Sequence, residues 1–340
     1  MRTYNKFIVT ALAVGLTLSA AAPARAATPV ISPAGASSVI SADIEALVDG
    51  AFPDYEDAVL ARRLGSAARD LAARTDSVTV RDTIGIERLL GLTPSTTGAT
   101  EVDTATANYR VNPATGRAFA ILKNDTYQGM AADRFAAIES RVQAAGTAFL
   151  GSLGLPEDER MKVTFRRVLA QSLDATSTGS SDGSPVLVRR GVTFVSRGYA
   201  GFPIEGSEAR VSSFTGARVD QFALRWPKFV AHRSAVTVAL DAQANIKRAI
   251  VDKVKRAALA GDPLSLQMGV VFQRVRTTAG SDVYIPAMKV VVTPQPKLVS
   301  LTSGRILTES GTVFYANMLA SPPTDILTAD ASDPNMSTAP

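Results

Sequence analysis

The fold prediction depends on the sequence GYAGFPIEG, which occupies residues 198–206. Gly198 and Gly201 permit backbone angles that other residues adopt only at a cost in free energy. Pro203 fixes its own φ angle and lacks an amide hydrogen, which suits a bulge or the start of a strand. The stretch therefore predicts a sharp bend that joins two strands.

The side chains after this bend alternate in polarity. Phe202 and Ile204 are expected to face a helix-covered core, and Glu205 is expected to face outward. Because a bend beside a strand edge can accept a partner, the stretch is also a candidate contact surface. The candidate partner-binding residues are Tyr199, Phe202, Pro203 and Glu205.

Helical and strand-like patterns surround this stretch. Apolar residues recur at three- and four-residue steps in three segments, residues 42–73, 130–153 and 241–259, with a break expected at Pro53. An alternating pattern is interrupted by a tight turn at residues 112–116 and predicts a β-hairpin. A helix followed by antiparallel strands thus recurs along the chain.

This recurrence predicts an α+β fold class. We expect two or three units in tandem, each with one helix packed across a curved antiparallel sheet. The predicted segments are a signal peptide (1–26), a leader (27–40), an N-terminal helical region with a β-hairpin (41–125), an α+β domain (126–232), a second α+β unit (233–320) and a disordered tail (321–340).

The first residues are typical of an export signal. Arg2 and Lys6 precede an apolar run over residues 7–22, and Ala24-Arg25-Ala26 provides a small-x-small cleavage site. We therefore expect cleavage after Ala26, a periplasmic or extracellular location, and no integral membrane span in the mature chain.

Composition excludes several kinds of chemistry. The chain contains no cysteine, which excludes disulfides, zinc–thiolate sites and cysteine nucleophiles. Loss of the signal removes Arg2, Lys6 and Arg25 and no acid, so the net charge falls from +5 to +2. Because no run of five basic residues is present, we expect no nucleic-acid partner.

Catalytic signatures are weak. His232 is the only histidine in the sequence, so a serine hydrolase would have to use it as the base. Residues 179–183 match Gly-x-Ser-x-Gly, but a Ser/Thr-rich segment precedes them where a nucleophile elbow needs a strand. The acidic residues within 43–57 lack the spacing of a calcium loop. We predict no metal site and no cofactor.

One segment resembles a known family. Residues 201–206 follow a Gly-hydrophobic-Pro-hydrophobic-x-Gly pattern, a second hairpin is predicted around Gly216, and Trp226-Pro227 ends the next strand. With the preceding helix, residues 130–229 resemble the PepSY-like and fungalysin/thermolysin-propeptide (FTP) domains of exported bacterial proteins. The resemblance implies a non-catalytic, cystatin-like fold that acts as an inhibitor, folding helper or binding module beside peptidases.

These observations favour an exported, non-catalytic binding protein. The expected partner is an extracytoplasmic peptidase or another cell-envelope component. We expect no propeptide role within the same chain, because no His-Glu-x-x-His motif follows the resembling segment in this sequence. Two alternatives stay open: a secreted hydrolase with a site around His232, and a structural or surface component.

Overall fold

The computed structural model describes residues 37–74, 101–103, 107–112, 116–123, 129–171, 186–213, 219–257, 264–294 and 312–327. The helices are α1 (Ser37–Ala51), α2 (Asp57–Ala73), α3 (Ala132–Ser152), α4 (Arg233–Val236) and α5 (Gln243–Ala257), with a 3-10 turn at Glu157–Glu159. The strands are β1 (Glu101–Asp103), β2 (Ala107–Asn112), β3 (Arg117–Leu122), β4 (Met130–Ala131), β5 (Thr164–Gln171), β6 (Val186–Tyr199), β7 (Phe202–Ser213), β8 (Gln221–Arg225), β9 (Leu264–Thr277), β10 (Asp282–Pro294), β11 (Thr312–Asn317) and β12 (Ile326–Leu327).

The twelve strands form one sheet. Its main path runs β1-β2-β3-β8-β7-β9-β10-β11, while β6 pairs with β7, β5 and β4, and β12 pairs with β9. The pairings between these strands are antiparallel, except that Ile204 of β7 pairs in parallel with Phe272 of β9. The sheet is therefore mixed.

The fold-class prediction of tandem cystatin-like units is wrong. Strand β3 of the expected N-terminal region pairs with β8, and β7 pairs with β9 of the expected second unit. The strands consequently extend one large mixed sheet and do not close separate small sheets. The pattern of a helix followed by strands is local, and it does not determine whether successive groups of strands join edge to edge.

The local predictions of helices are confirmed. Helix α3 coincides with the expected amphipathic segment 130–153, and α5 lies within residues 241–259. Helix α1 ends at Ala51 and α2 begins at Asp57, so Pro53 lies in the break between them. The apolar spacing predicted these helices because the buried face of an amphipathic helix is visible as a periodic pattern within one segment of sequence.

The stretch at residues 198–206 closes the β6–β7 hairpin. Tyr199 pairs with Phe202, and the two residues between them, Ala200 and Gly201, have φ angles of 52° and 87°. Positive φ at both central residues is the geometry of a type I′ turn, which matches the twist of the flanking strands. The predicted bend is therefore a two-residue hairpin turn.

Two large hydrophobic cores lie on the same side of the sheet, and a small third cluster joins Phe135 and Val142 of α3 to Val188 of β6. The first core joins α1, α2 and α5 to β9, β10 and β11, and the second joins α3 to β2, β3, β7 and β8. Val195 of β6 belongs to the second core, and Tyr199 of the same strand packs against the first. Because residues four apart on a strand point to the same face, one side of the sheet carries both cores.

Close packing of α3 on the sheet requires Gly146. A Cβ atom at this position would lie 2.3 Å from the Oγ1 atom of Thr193 on β6. The helix can therefore approach the strand only where the side chain is a hydrogen atom. Together, α1, α2, α3 and α5 cover one side of the sheet, and the opposite side carries no helix among the described residues. We call this opposite side the helix-free side.

Several predicted segments lie outside the described residues. These include the signal peptide, residues 27–36 of the leader, the Gly-x-Ser-x-Gly match and the turn around Gly216. Strand β12 falls within the segment that was expected to be a disordered tail. None of the described helices is long and apolar enough to cross a membrane.

Candidate binding site

A cleft of about 480 Å³ opens on the helix-free side, where β6, β7 and β8 meet β9 and β10. We call it the junction cleft. Residues that define its walls and floor are Met161, Pro203, Glu205, Arg225, Met268 and Lys289. Since these side chains come from separate strands of the large sheet, the cleft exists only because β7 and β9 are joined.

The floor of the junction cleft is held by a polar network. The Nζ atom of Lys289 on β10 lies 2.9 Å from the Oε1 atom of Glu205 on β7. The hydroxyl of Tyr315 on β11 donates to the other oxygen of Glu205 at 3.1 Å. Burial and the charge of Glu205 raise the pKa of Tyr315, so its hydroxyl stays a hydrogen-bond donor. Glu205 thus connects three strands of the sheet.

The walls of the junction cleft are partly apolar. Met161 is 37% exposed, and Met268, Val271 and Val291 lie around the same opening. The side chain of Met268 packs against the first core, so Met161 is the flexible, polarisable side chain that can adapt to ligand groups of different shape. The cleft therefore combines a fixed polar floor with adaptable apolar walls.

An open strand edge borders the junction cleft. Over residues 264–270, β9 pairs with β10 on one side, and no described strand pairs with its other side. Gln267 on this segment is exposed and lines the cleft. A free edge presents backbone N–H and C=O groups that an added strand can pair with.

The four residues expected to contact a partner are divided between surface and core. Pro203 and Glu205 line the junction cleft. Phe202 is only 5% exposed and packs edge-on against Phe272, so it belongs to the first core. Tyr199 is half-buried beneath the guanidinium group of Arg74, 4.7 Å from its ring centre. The expected orientation of Phe202, inward and opposite to Glu205, is confirmed.

Both ring nitrogens of His232 have partners. Its Nδ1 atom accepts a hydrogen bond from the backbone N–H of Ser234 at 3.1 Å, which places the ring hydrogen on Nε2. The Nε2 atom then donates to the carboxylate of Asp325, also at 3.1 Å. This hydrogen bond lowers the pKa of Asp325. The ring therefore has no free lone pair to act as a general base.

The acidic residues of α1, which lack the spacing of a calcium loop, form contacts with another helix. Within the described part of the chain, no group of three or more His, Asp or Glu side chains could hold a metal ion. The acidic residues of α1 instead face lysines of α5, as in the contacts of Asp49 with Lys247 and of Glu45 with Lys255. These carboxylates join two helices at the protein surface.

Sequence reasoning missed Lys289, Tyr315 and the open edge of β9. Lys289 is a single cation inside the apolar run of β10, and such a residue needs a partner when it is partly buried. That feature could have identified Lys289 as part of a site. Its partner Glu205 could not have been found in this way, because 84 residues separate the two along the chain.

The chain was also compared with known proteins. No family model, no curated protein and no solved structure matches it.

Proposed function

We propose that this chain is an exported, non-catalytic binding protein that holds an extended segment of a protein partner in the junction cleft. The observation that carries the proposal is the open edge of β9 beside a cleft with a fixed floor. A partner segment would pair with the edge through its backbone and place alternate side chains in the cleft. An extracytoplasmic peptidase or another envelope protein is the expected partner.

The geometry of the site favours binding over hydrolysis. Lys289 and Glu205 satisfy each other, and His232 uses both of its ring nitrogens in structural hydrogen bonds. His232 is also paired with Asp325, close to β12, and neither residue lines the junction cleft. A hydrolase would need its base beside the bound substrate.

The proposal can be tested with a variant that fills the junction cleft. Gly269 lines the cleft, and a Cβ atom built on it meets no atom within 4 Å, so the side chain of Gly269→Phe starts without a clash and extends into the cleft. Gly151 on α3 is a matched control, because a Cβ atom there also meets nothing within 4 Å. Neither substitution should lower the melting temperature through steric conflict.

The measurement is the affinity of peptides selected from a random display library against the purified chain. We expect the selected peptides to bind Gly151→Phe like the original chain and to bind Gly269→Phe at least about tenfold more weakly, equivalent to about 1.4 kcal/mol. Equal affinity for both variants would place the peptide site elsewhere and overturn the proposal. Failure to select any peptide that binds the original chain would also count against it.

A further inference from the structure

The helix-free side of β2, β3, β5, β6, β7 and β8 carries an arginine on every strand. Side chains on these strands alternate between the second core and the opposite face, as shown by buried Tyr109, Ala118 and Val211 beside the arginines. We call this surface the arginine face. Its arginines are Arg166 (β5), Arg190 (β6), Arg210 (β7), Arg225 (β8), Arg117 (β3) and Arg110 (β2).

Strand register aligns part of this surface into a row that crosses the strands. Each residue of the row is directly opposite the next on the neighbouring strand. The row runs Phe194, Arg210, Ala223, Phe119 and Arg110. Adjacent strands lie about 4.8 Å apart, so the six strands span about 24 Å. This row contains Arg210 and Arg110, and Arg225 pairs with Arg117 two residues along the same strands, so the positive charges are spread as a band across β7, β8, β3 and β2.

The positive charge of this band is poorly compensated. Arg225 lies directly opposite Arg117, and like charges in such a cross-strand pair destabilise a sheet. The described residues of the six strands include two carboxylates, Glu205 and Glu208. Glu205 is already bound to Lys289, and Arg110 is paired with Glu101 of the neighbouring strand β1, so Glu208, opposite Arg225, is the acid left among the other arginines of the band.

Two of the arginines also retain hydrogen-bonding capacity. The Nε atoms of Arg190 and Arg225 are buried and have no hydrogen-bond partner among the described residues. Burial lowers the pKa of both groups, and neighbouring arginines lower it further. Because these Nε atoms are buried, an anion at the surface does not bond to them directly, but its negative charge would reduce the repulsion between the guanidinium groups.

The geometry distinguishes between kinds of polyanion. A flat bilayer matches a twisted, six-stranded surface poorly, whereas a flexible chain can follow the band across the strands. The ring of Phe194 is covered by the guanidinium group of Arg166, 5.0 Å from the ring centre, and the half-buried Phe119 is the other aromatic residue of the row, so the row lacks the series of free rings on which successive bases stack. Arginine recognises phosphate through two parallel hydrogen bonds.

We propose that the arginine face binds a linear phosphate polyanion, a chain that carries a phosphate on every repeat and no stacking base. The phosphates bind between neighbouring strands, where one group can accept hydrogen bonds from two guanidinium groups. The arginine face adjoins the junction cleft, and Arg225 belongs to both surfaces. Polyanion binding also uses arginines of β2, β3 and β7 that lie outside that cleft.

The probe is inorganic polyphosphate of defined length, titrated into the purified chain at several salt concentrations. We expect its affinity to fall linearly with the logarithm of salt concentration as counterions are displaced. The double substitution Arg117→Gln/Arg210→Gln should weaken binding about tenfold or more and reduce the salt slope by about two. Thermal unfolding of the variant verifies that it folds.

The matched control is Arg62→Gln/Arg248→Gln, which removes the same charge from exposed positions on α2 and α5. It should bind polyphosphate like the original chain. An equal loss of polyphosphate affinity in both double variants would show that binding depends only on net charge, and it would overturn the proposal. Tighter binding of single-stranded DNA or of poly-glutamate with matched charge would also overturn it, and would assign the surface to nucleic acid or to an acidic protein.

Discussion

At the scale of single residues, the best-defined feature is the buried carboxylate of Glu159. Its side chain is 2% exposed and accepts hydrogen bonds from Arg197 at 2.7 Å and from the indole of Trp226 at 3.1 Å. Arg74 approaches its other oxygen at 3.0 Å. Because each partner comes from a different element, Glu159 fixes the 3-10 turn between α2 and the sheet.

Replacing Glu159 should therefore be costly. We expect Glu159→Gln to lower the free energy of unfolding by about 3 kcal/mol, since it leaves the charge of Arg197 buried without a counter-charge. Glu157→Gln in the same turn is the control, because Glu157 is 91% exposed and its pair with Arg160 should contribute less than about 1 kcal/mol. Urea unfolding of both variants measures the difference, and equal losses would contradict this account.

At the scale of elements, the contact between His232 and Asp325 attaches the last described segment to the sheet. The backbone N–H of Thr278 also donates to the carbonyl of Asp325, at 2.7 Å. Strand β12 adds two residue pairs with β9. A two-residue strand has little stability of its own, so these contacts decide whether the segment stays docked.

We expect Asp325→Ala to release β12 without unfolding the sheet. Backbone amides at residues 326–327 should exchange with deuterium faster than in the original chain, because the hydrogen bond from His232 is lost. The amides of β10 should keep their protection, since β10 is paired on both sides by β9 and β11. Hydrogen-exchange mass spectrometry measures both segments, and unchanged exchange at β12 would show that the side-chain contact does not hold it.

At the scale of the whole molecule, ion pairs join segments that are distant in sequence. Arg74, which follows α2, pairs with Asp158, and Arg167 on β5 pairs with Glu139 on α3. These arginines lower the pKa of Asp158 and Glu139. Since each carboxylate is more acidic in the folded state than in the unfolded chain, its stabilising contribution is complete above the unfolded pKa.

Stability should therefore decrease in acid. We expect the free energy of unfolding to be nearly constant above about pH 5 and to fall at lower pH as these carboxylates become protonated. The double variant Glu139→Gln/Asp158→Asn should be less stable at pH 7 and should lose less stability between pH 5 and pH 3. Urea unfolding across this range tests the expectation, and parallel curves for the two proteins would contradict it.

The local elements followed from the sequence because their signals are local. The apolar stripe of α3 and the break at Pro53 are recorded within single segments. The hairpin at residues 198–206 was also predictable, because turns with positive φ favour glycine and Gly201 adopts such an angle. Strand alternation also predicted that the side chain of Phe202 lies in the core and that of Pro203 at the surface.

Only the tertiary structure decided how the strands were joined and which side chains met. The parallel contact between Ile204 and Phe272 unites the sheet and creates the junction cleft, yet those residues are 68 positions apart. The arginines of the arginine face are dispersed as single residues in six strands, so a search for basic runs could not find them. Register between distant strands depends on packing of the whole chain, and periodicity within one segment does not encode it.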